Sequence, residues 1–499
     1  MRELPMVPYA PILIESMRAV GYSPEAAVAD LIDNSITAEA SVVNIRFPAG
    51  KPDYFAILDN GYGMEEPELL EAMRYGSRSP NDHRNENDLG RFGLGLKTAS
   101  LSQCRHFIVI SLKNGQISAC SWDLGHIAHT KNWTLKVFEA AELQNIPHLD
   151  ELKKQGKGTL VIWKELDRLA AGDPGDGSVL SHKVSAIRQH LALVFHRYLS
   201  GEACSPPLQI LINHNPVIPL DPFLSRYTST QKGPREPIII GNSKVWVQAF
   251  TLPHISRLTL PEIEEAGGQE GLRKQQGFYV YRNKRLIVWG TWFRMFRQEE
   301  LTKLTRVVVD IPNTLDEEWT IDIKKSVATP PEIVRNRLRL LIPRMCENSK
   351  QVQAYRGKTT VNGKVQPIWK RIEDRDAIRY AVDREHPVIE AFRNSLDESD
   401  SHQLSLVLKA IEESFPGEAF YNDRASERIG YKNQISSSEV QREQLAFLEE
   451  LAWQLIDSLG EKHAYRQQLL NNLEKLEPFS AWPELTKIIK ERVAEHAAA

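Results

Sequence analysis

Apolar positions recur at helical spacing through residues 27–38 (AVADLIDNSITA). Val28, Leu31, Ile32 and Ile36 occupy the packing faces, and Asp30 and Asn34 fall four residues apart on one side. Ser23 followed by Pro24 is a helix start, so this helix is expected to begin there. Apolar runs at 41–48 and 54–59 predict two strands, the second ending at Asp59 before the turn dipeptide Asn60-Gly61. Residues 65–75 return to a helical pattern. Periodicity then stops: 76–89 (GSRSPNDHRNENDL) is polar and turn-rich, and so long a loop within a domain reads as a lid or binding segment. A glycine-rich turn at 90–95 opens a helix to 102, and strands are expected at 107–112, 118–123 and 159–163.

The stretch AAGDPGDGS at 170–178 marks a first domain boundary. Beyond it the pattern predicts a helix over 184–199 and strands at 208–212, 245–250, 278–281, 285–288, 306–310 and 320–323. FYVYRNKRLIV reads as a hairpin turning at Asn283-Lys284. A helix over 332–342 is expected to stop at Pro343. From 377 the chain is mainly helical in pattern, with heptad-like apolar positions at 445–459 that suit a helical bundle or an oligomer contact.

Length and composition narrow this picture slightly. With 499 residues the chain exceeds a single core, and a net charge of -3 announces no global attraction to nucleic acid. The four cysteines, Cys104, Cys120, Cys204 and Cys346, lack metal-ligand spacing and are expected as reduced thiols. No signal-like start and no membrane-length apolar run is present, so a cytoplasmic protein without a membrane partner is expected.

The candidate chemistry lies in four short stretches. A carboxylate at Asp30 can orient or deprotonate a water, and the amide oxygen of Asn34 is a hard ligand for Mg2+. By itself this pair on an amphipathic helix is usually a solvated face. LDNGYGM at 58–64 puts Asp59 at a strand end, where it can accept the exocyclic amine of adenine while Gly61 and Gly63 admit the base; a plain hairpin turn is the alternative. In GRFGLGLKTAS at 90–100, Gly90, Gly93 and Gly95 allow close approach to an anion, the following helix offers free amides, and Arg91 and Lys97 add charge. The spacing is neither that of the Walker loop nor that of the dinucleotide fingerprint. Gly158-Thr159 precedes a strand. Arg282, Lys284, Arg285, Arg294 and Arg297, interleaved with Trp289, Trp292 and Phe293, are candidates for phosphate and base contacts, or else a packed element with a charged rim.

Taken in order, these stretches resemble the GHKL superfamily of ATPases, which includes gyrase, the heat-shock chaperone, histidine kinases and MutL. Asp30-x-x-x-Asn34 is similar to the N-box, 59–64 to the second motif, 90–95 to the third and Gly158-Thr159 to the fourth. The likeness implies an α+β protein. Residues 1–170 would be a Bergerat-type α/β sandwich that binds ATP, 184–345 a transducer-like α/β domain of the ribosomal S5 type, and 350–499 a mainly helical region. It implies Mg2+ held by Asn34, adenine held by Asp59 with Thr159 helping through a water, and a base pocket lined by Gly61, Gly63 and Met64. The phosphates would be wrapped by Gly90, Arg91, Phe92, Gly93, Leu94, Gly95, Lys97 and Thr98 under a lid at 76–89, with Lys324 or Lys325 reaching the terminal phosphate. Two positions depart from the family: Asp30 stands where Glu is usual, and Thr37-Ala38 where Asp-Ala is frequent. Slow hydrolysis is therefore expected.

Within the superfamily, DLIDNSITAEA and MRYGSRSP are most similar to Microrchidia (MORC)-type ATPases and their bacterial relatives. That implies an ATP-dependent homodimer acting on DNA, or in phage defence or restriction, with a partner nuclease or helicase. A nucleotide-gated scaffold without significant hydrolysis and a chaperone-like protein remain alternatives. A histidine kinase would need an upstream phospho-accepting helical hairpin, and 1–29 offers little room for one.

Overall fold

In the structure, a computed structural model, the residues described are 3, 6–19, 21–48, 50, 53–76, 95–315, 318–319, 329–354, 366–373, 378–414, 438–457, 469–481 and 483–498. The predicted first helix starts where expected: Ser23 accepts from the Ala26 amide at 3.3 Å and Pro24 occupies the first turn. Chain order is α1 (Ala10–Arg18), α2 (Pro24–Thr37), β1 (Val42–Arg46), β2 (Tyr54–Asp59), α3 (Glu66–Met73), α4 (Gly95–Gln103), β3 (His106–Lys113) and β4 (Gln116–Asp123). Then come α5 (Leu124–Thr130), β5 (Lys136–Val137), α6 (Leu149–Gln155), β6 (Gly158–Lys164), α7 (Ser178–Val194), α8 (His196–Leu199), β7 (Gln209–Ile212) and β8 (Asn215–Pro216).

The strands form one mixed sheet in the order β5-β4-β3-β6-β2-β1-β7-β8. Its central strands are apolar on both sides, which is why they read as near-continuous runs. Alternation then sorts them. Phe55, Ile57, Phe107, Val109, Val161 and Trp163 share a core with α1, α2, α4 and α7. Ala56, Leu58, Ile108, Ile110, Leu160 and Ile162 face the opposite way, onto Leu149 and Leu152 of α6. The expected α+β class is what forms.

A second sheet, order β12-β11-β13-β10-β9, is built from β9 (Gln231–Ile240), β10 (Ser243–Thr251), β11 (Gly277–Arg282), β12 (Arg285–Thr291) and β13 (Thr305–Ile311). The short α9 (Leu260–Gly267) interrupts it. The β11–β12 hairpin turns at Asn283 and Lys284, both at positive φ, as the sequence predicts. Two expectations are corrected here. The helix from 332 does not stop at Pro343 but runs as α10 (Glu332–Ala354). Val334, Leu338, Ile342 and Cys346 recur every four residues and are buried against this sheet, and that burial outweighs the hydrogen bond a proline removes. Of the basic and aromatic segment, Arg282, Arg285 and Trp292 are buried while Arg294 and Arg297 are exposed, the pattern of a packed element with a charged rim. Finally, α7 and β7, grouped by sequence with 184–345, complete the first layer: β7 pairs in parallel with β1, and Val184, Ile187 and Leu191 enter the first core. Parallel pairing across some 160 residues leaves no local signature. The strand expected at 320–323 lies outside the described residues.

The chain divides into two compact units, Met1–Gln353 and Ala354–Ala499. The second holds a two-stranded sheet that the helical pattern did not predict, β14 (Trp369–Glu373) with β15 (Ile378–Val382). It also holds α11 (Pro387–Asn394), α12 (Glu398–Glu413), α13 (Ser438–Asp457) and α14 (Pro483–Ala498). The heptad-like positions do pack: Leu448, Ala452, Leu455 and Ile456 of α13 form a core with Phe479 and Ile489.

Backbone approach is tightest where β6 begins. Gly158 has φ +127°, and a Cβ there would lie 2.0 Å from the Asp59 carbonyl oxygen. Gly115, at φ +79°, has open space around it. Both replacements by alanine carry the strain of a positive φ, and Gly158→Ala adds a steric overlap with backbone. In urea unfolding, Gly158→Ala is expected to lose about 1–3 kcal/mol more than Gly115→Ala; equal losses would refute the close approach.

Candidate functional site

Burial and polarity are in conflict along α2, and the conflict defines the site. Between residues 27 and 35, Asn34 is exposed and every other position is buried, including Asp30, Asp33 and Ser35. A buried polar group needs a hydrogen-bond partner. The Tyr22 hydroxyl donates to Asp30 Oδ2 at 2.9 Å. Ser35 Oγ donates to Asp59 Oδ2 at 2.9 Å. Arg285 Nε, arriving from β12, donates to both carboxylate oxygens of Asp33 at 3.0 Å each.

The structure brings Asp30 next to the end of the glycine-rich turn. Gly95 is the first residue of α4, and a methyl group placed on it would sit 3.6 Å from Asp30 Oδ2. The start of α4 thus lies within van der Waals reach of the carboxylate. One turn along α2, the carboxamide of Asn34 is exposed to solvent, where it can meet a ligand.

Asp59 ends β2 and is buried. Its Oδ1 accepts the amides of Gly61 (2.9 Å) and Thr159 (3.1 Å), and its Oδ2 accepts Ser35. The sheet register that sets Asp59 opposite Thr159 makes the second of these contacts. Burial pushes the Asp59 carboxyl above its ordinary value, while the three donors oppose that rise. An ionised carboxylate has about four lone-pair sites; three are used, and one remains for an incoming amine.

The glycines of this stretch answer first to the chain itself. A Cβ on Gly63 (φ +71°) would fall 2.2 Å from the Leu112 carbonyl oxygen, and one on Gly61 2.7 Å from that of Ala38. Ser111, which no motif singles out, ties the floor together. Its Oγ accepts the Met64 amide (2.7 Å), donates to the Gly158 carbonyl (3.2 Å) and lies 3.0 Å from Thr159 Oγ1. Tyr22, Ser35 and the Asp33–Arg285 pair likewise carry no local signature. Partners 8, 24 and 252 positions apart have no common periodicity.

Lys97 is placed otherwise than expected. Its ammonium is buried, donates to the Ala72 carbonyl at 2.8 Å and lies 5.6 Å from the Tyr75 ring centre, so it fastens α4 to the end of α3. Thr98 is buried in the same helix. Gly90, Arg91, Phe92, Gly93 and Leu94, most of the expected lid (77–89), and Lys324 and Lys325 lie outside the described residues.

Burial lowers Lys97 from its ordinary 10.5 to about 8. Between those two pH values the unfolded chain holds a proton that the folded one has released, so folding gains stability as pH rises. The wild type is expected to gain up to about 3 kcal/mol over Lys97→Met between pH 8 and pH 10.5. Parallel denaturation curves that keep a constant gap across that range would refute the burial of the ammonium.

Comparison with known proteins agrees with this geometry. A family model described as "Histidine kinase-, DNA gyrase B-, and HSP90-like ATPase" matches residues 22–159, from the tyrosine on Asp30 to the threonine on Asp59. ATPase morc-1 of Caenorhabditis elegans is 30% identical over 97 residues, 19% of this chain and 11% of that protein. ATPase MORC2B of Mus musculus is 30% identical over 97 residues, 18% of this chain and 9% of its own length. DNA mismatch repair protein MutL of Thermosipho africanus is 33% identical over 97 residues, 19% of this chain and 17% of that protein. The chain thus spans less than a fifth of each relative. No described helix is long and apolar enough to cross a membrane. Residues 22–159 therefore belong to the GHKL group of histidine kinase-, gyrase- and HSP90-like ATPases, with distant relatives among the MORC and MutL ATPases.

Proposed function

We propose that the protein is a Mg2+-dependent ATP-binding and ATP-hydrolysing switch that forms a homodimer when ATP binds. The observation that carries this reading is the meeting of Asp30 with the first residue of α4 beside the exposed Asn34. The carboxylate of Asp30 orients and polarises the attacking water, and the Tyr22 hydroxyl holds that carboxylate in place. Asn34 offers its amide oxygen to the metal. Among the described residues no group of three or more His, Cys, Asp or Glu is arranged to hold a metal ion. One protein oxygen plus phosphates and waters fits Mg2+, which keeps much of its hydration. Bound there, Mg2+ would neutralise charge on the phosphates. Asp59 takes the adenine amine on its remaining lone pair, and Thr159 and Ser111 share a hydroxyl pair beside it. The amide ends of α4, with Gly90 to Leu94 before it, receive the phosphates. Lys324 or Lys325 completes the site.

The names of the relatives, ATPases and DNA mismatch repair proteins, support a role in DNA transactions. In this chain that role would be exercised with a partner nuclease or helicase, in repair, restriction or phage defence. The switch works if nucleotide binds the closed, dimeric state better than the open one. A second reading, a nucleotide-gated scaffold, is favoured by one feature: Asp30 is a methylene shorter than glutamate, and one of its oxygens already engages Tyr22.

Phosphate release and analogue binding, measured on wild type and Asp30→Ala, separate the two. For the ATPase, turnover is expected to fall at least tenfold in the variant while affinity for a non-hydrolysable ATP analogue stays within about threefold. Equal near-zero rates with binding intact in both proteins would establish the scaffold instead. In size-exclusion chromatography with light scattering, the analogue with Mg2+ is expected to double the molar mass of the wild type. An unchanged monomer would refute ATP-driven dimerisation.

A further inference from the structure

Several contacts fasten the second sheet to the helices of the first layer. Tyr198 Oη donates to the Asn283 carbonyl at 2.6 Å, Arg197 pairs with Asp310 at 2.5 Å, and His196 Nε2 lies 2.7 Å from Tyr281 Oη. All three end on α8, away from the motif helix. The Arg285–Asp33 pair reaches α2 itself. Its two side chains are 5% and 1% exposed, with Arg285 Nη1 donating to the Leu286 carbonyl at 3.0 Å and the guanidinium 5.6 Å from the Phe195 ring centre. Asp33 is the residue before Asn34 and three after Asp30, so its direction fixes theirs: a rotation of α2 that moves Asp33 swings both functional side chains by the same angle.

A buried ion pair is weak evidence for a purely stabilising role, because two apolar side chains of similar volume serve stability as well. What it supplies is direction. One Nε–H shared between two carboxylate oxygens defines the orientation of the helix about its axis more sharply than apolar contact does. We infer that Arg285 is a positioning residue for the nucleotide reaction: through Asp33 it sets the rotation of α2, and thereby makes hydrolysis depend on how the second sheet is seated. Binding depends on it less, because Asp59 is held by Gly61, Thr159 and Ser35, of which Ser35 alone lies on α2.

This inference rests on the ATPase reading above, and the test keeps the two apart. Turnover and affinity for a non-hydrolysable ATP analogue are measured on the full chain for wild type, Arg285→Met, Arg285→Lys and Asp33→Asn. A wild type that neither binds nor hydrolyses ATP refutes the ATPase reading before any variant is compared. With an active wild type, Arg285→Met and Asp33→Asn are expected to lower kcat at least tenfold and change analogue affinity less than threefold, and Arg285→Lys to recover part of the loss. Unchanged kcat, or kcat and affinity falling together, would overturn the inference. Should Arg285→Met fail to fold, Arg285→Lys decides: it keeps the charge and loses the two-oxygen geometry, so its kcat is expected between those of wild type and Asp33→Asn at a melting temperature within a few degrees of wild type.

Discussion

The constraint on which the rest depends is the desolvation of one helix. Helix α2 is buried between the first sheet, α4 and α7, yet it carries Asp30, Asp33 and Ser35 on its buried faces. Each would cost several kcal/mol if left without a partner. The three partners come from three places: Tyr22 ahead of the helix, Asp59 at the end of β2, and Arg285 in the second sheet. Satisfying α2 therefore forces together the pieces of the proposed nucleotide site. Asn34, the exception to burial, is left facing solvent.

Around Asp59 the same logic acts through backbone. Gly61 meets Ala38 just after α2, Gly63 meets Leu112 of β3, and Gly158 at the start of β6 meets the end of β2, all so closely that none of the three has room for a Cβ. That compression aims the amides of Gly61 and Thr159 at one carboxylate oxygen and lets Ser111 bind both Met64 and Gly158. A rigid floor with an oriented carboxylate follows from packing. For the proposed nucleotide such a floor would need little reorganisation, which is where a binding site gains affinity. The opposite wall, from Tyr22 through Asp30 to Gly95, is made of helices, and its aim depends on how α2 is turned.

Much of this was legible from residues and spacing. Ser23-Pro24, the apolar spacing of α2, Asn60-Gly61 and the hairpin at Asn283-Lys284 are local signals, each acting within a few positions, and each appears where it was expected. A lysine after a glycine-rich turn can serve an anion or tie helices together, and only the tertiary structure brings the Lys97 ammonium to the Ala72 carbonyl. Pro343 reads as a helix end because propensity is local, whereas the burial of Leu338, Ile342 and Cys346 depends on the second sheet. Whether Arg285 is a surface cation or part of a packed element stays open in the sequence for the same reason: charge is visible there and its counter-charge, 252 positions away, is not.

By itself the sequence determined the order of the motif stretches and which side chains could do chemistry, since turn residues and donor or acceptor type are properties of short segments; the α+β class is what the likeness carried by those stretches implies. Tertiary structure alone decided which of those side chains meet. Asp30 lies beside Gly95, Ser35 and Thr159 converge on Asp59, and Asp33 is claimed by Arg285. The physical reason is that a buried polar group is satisfied by whatever partner the packed chain delivers, and that delivery is set by the pairing of strands and helices distant in sequence.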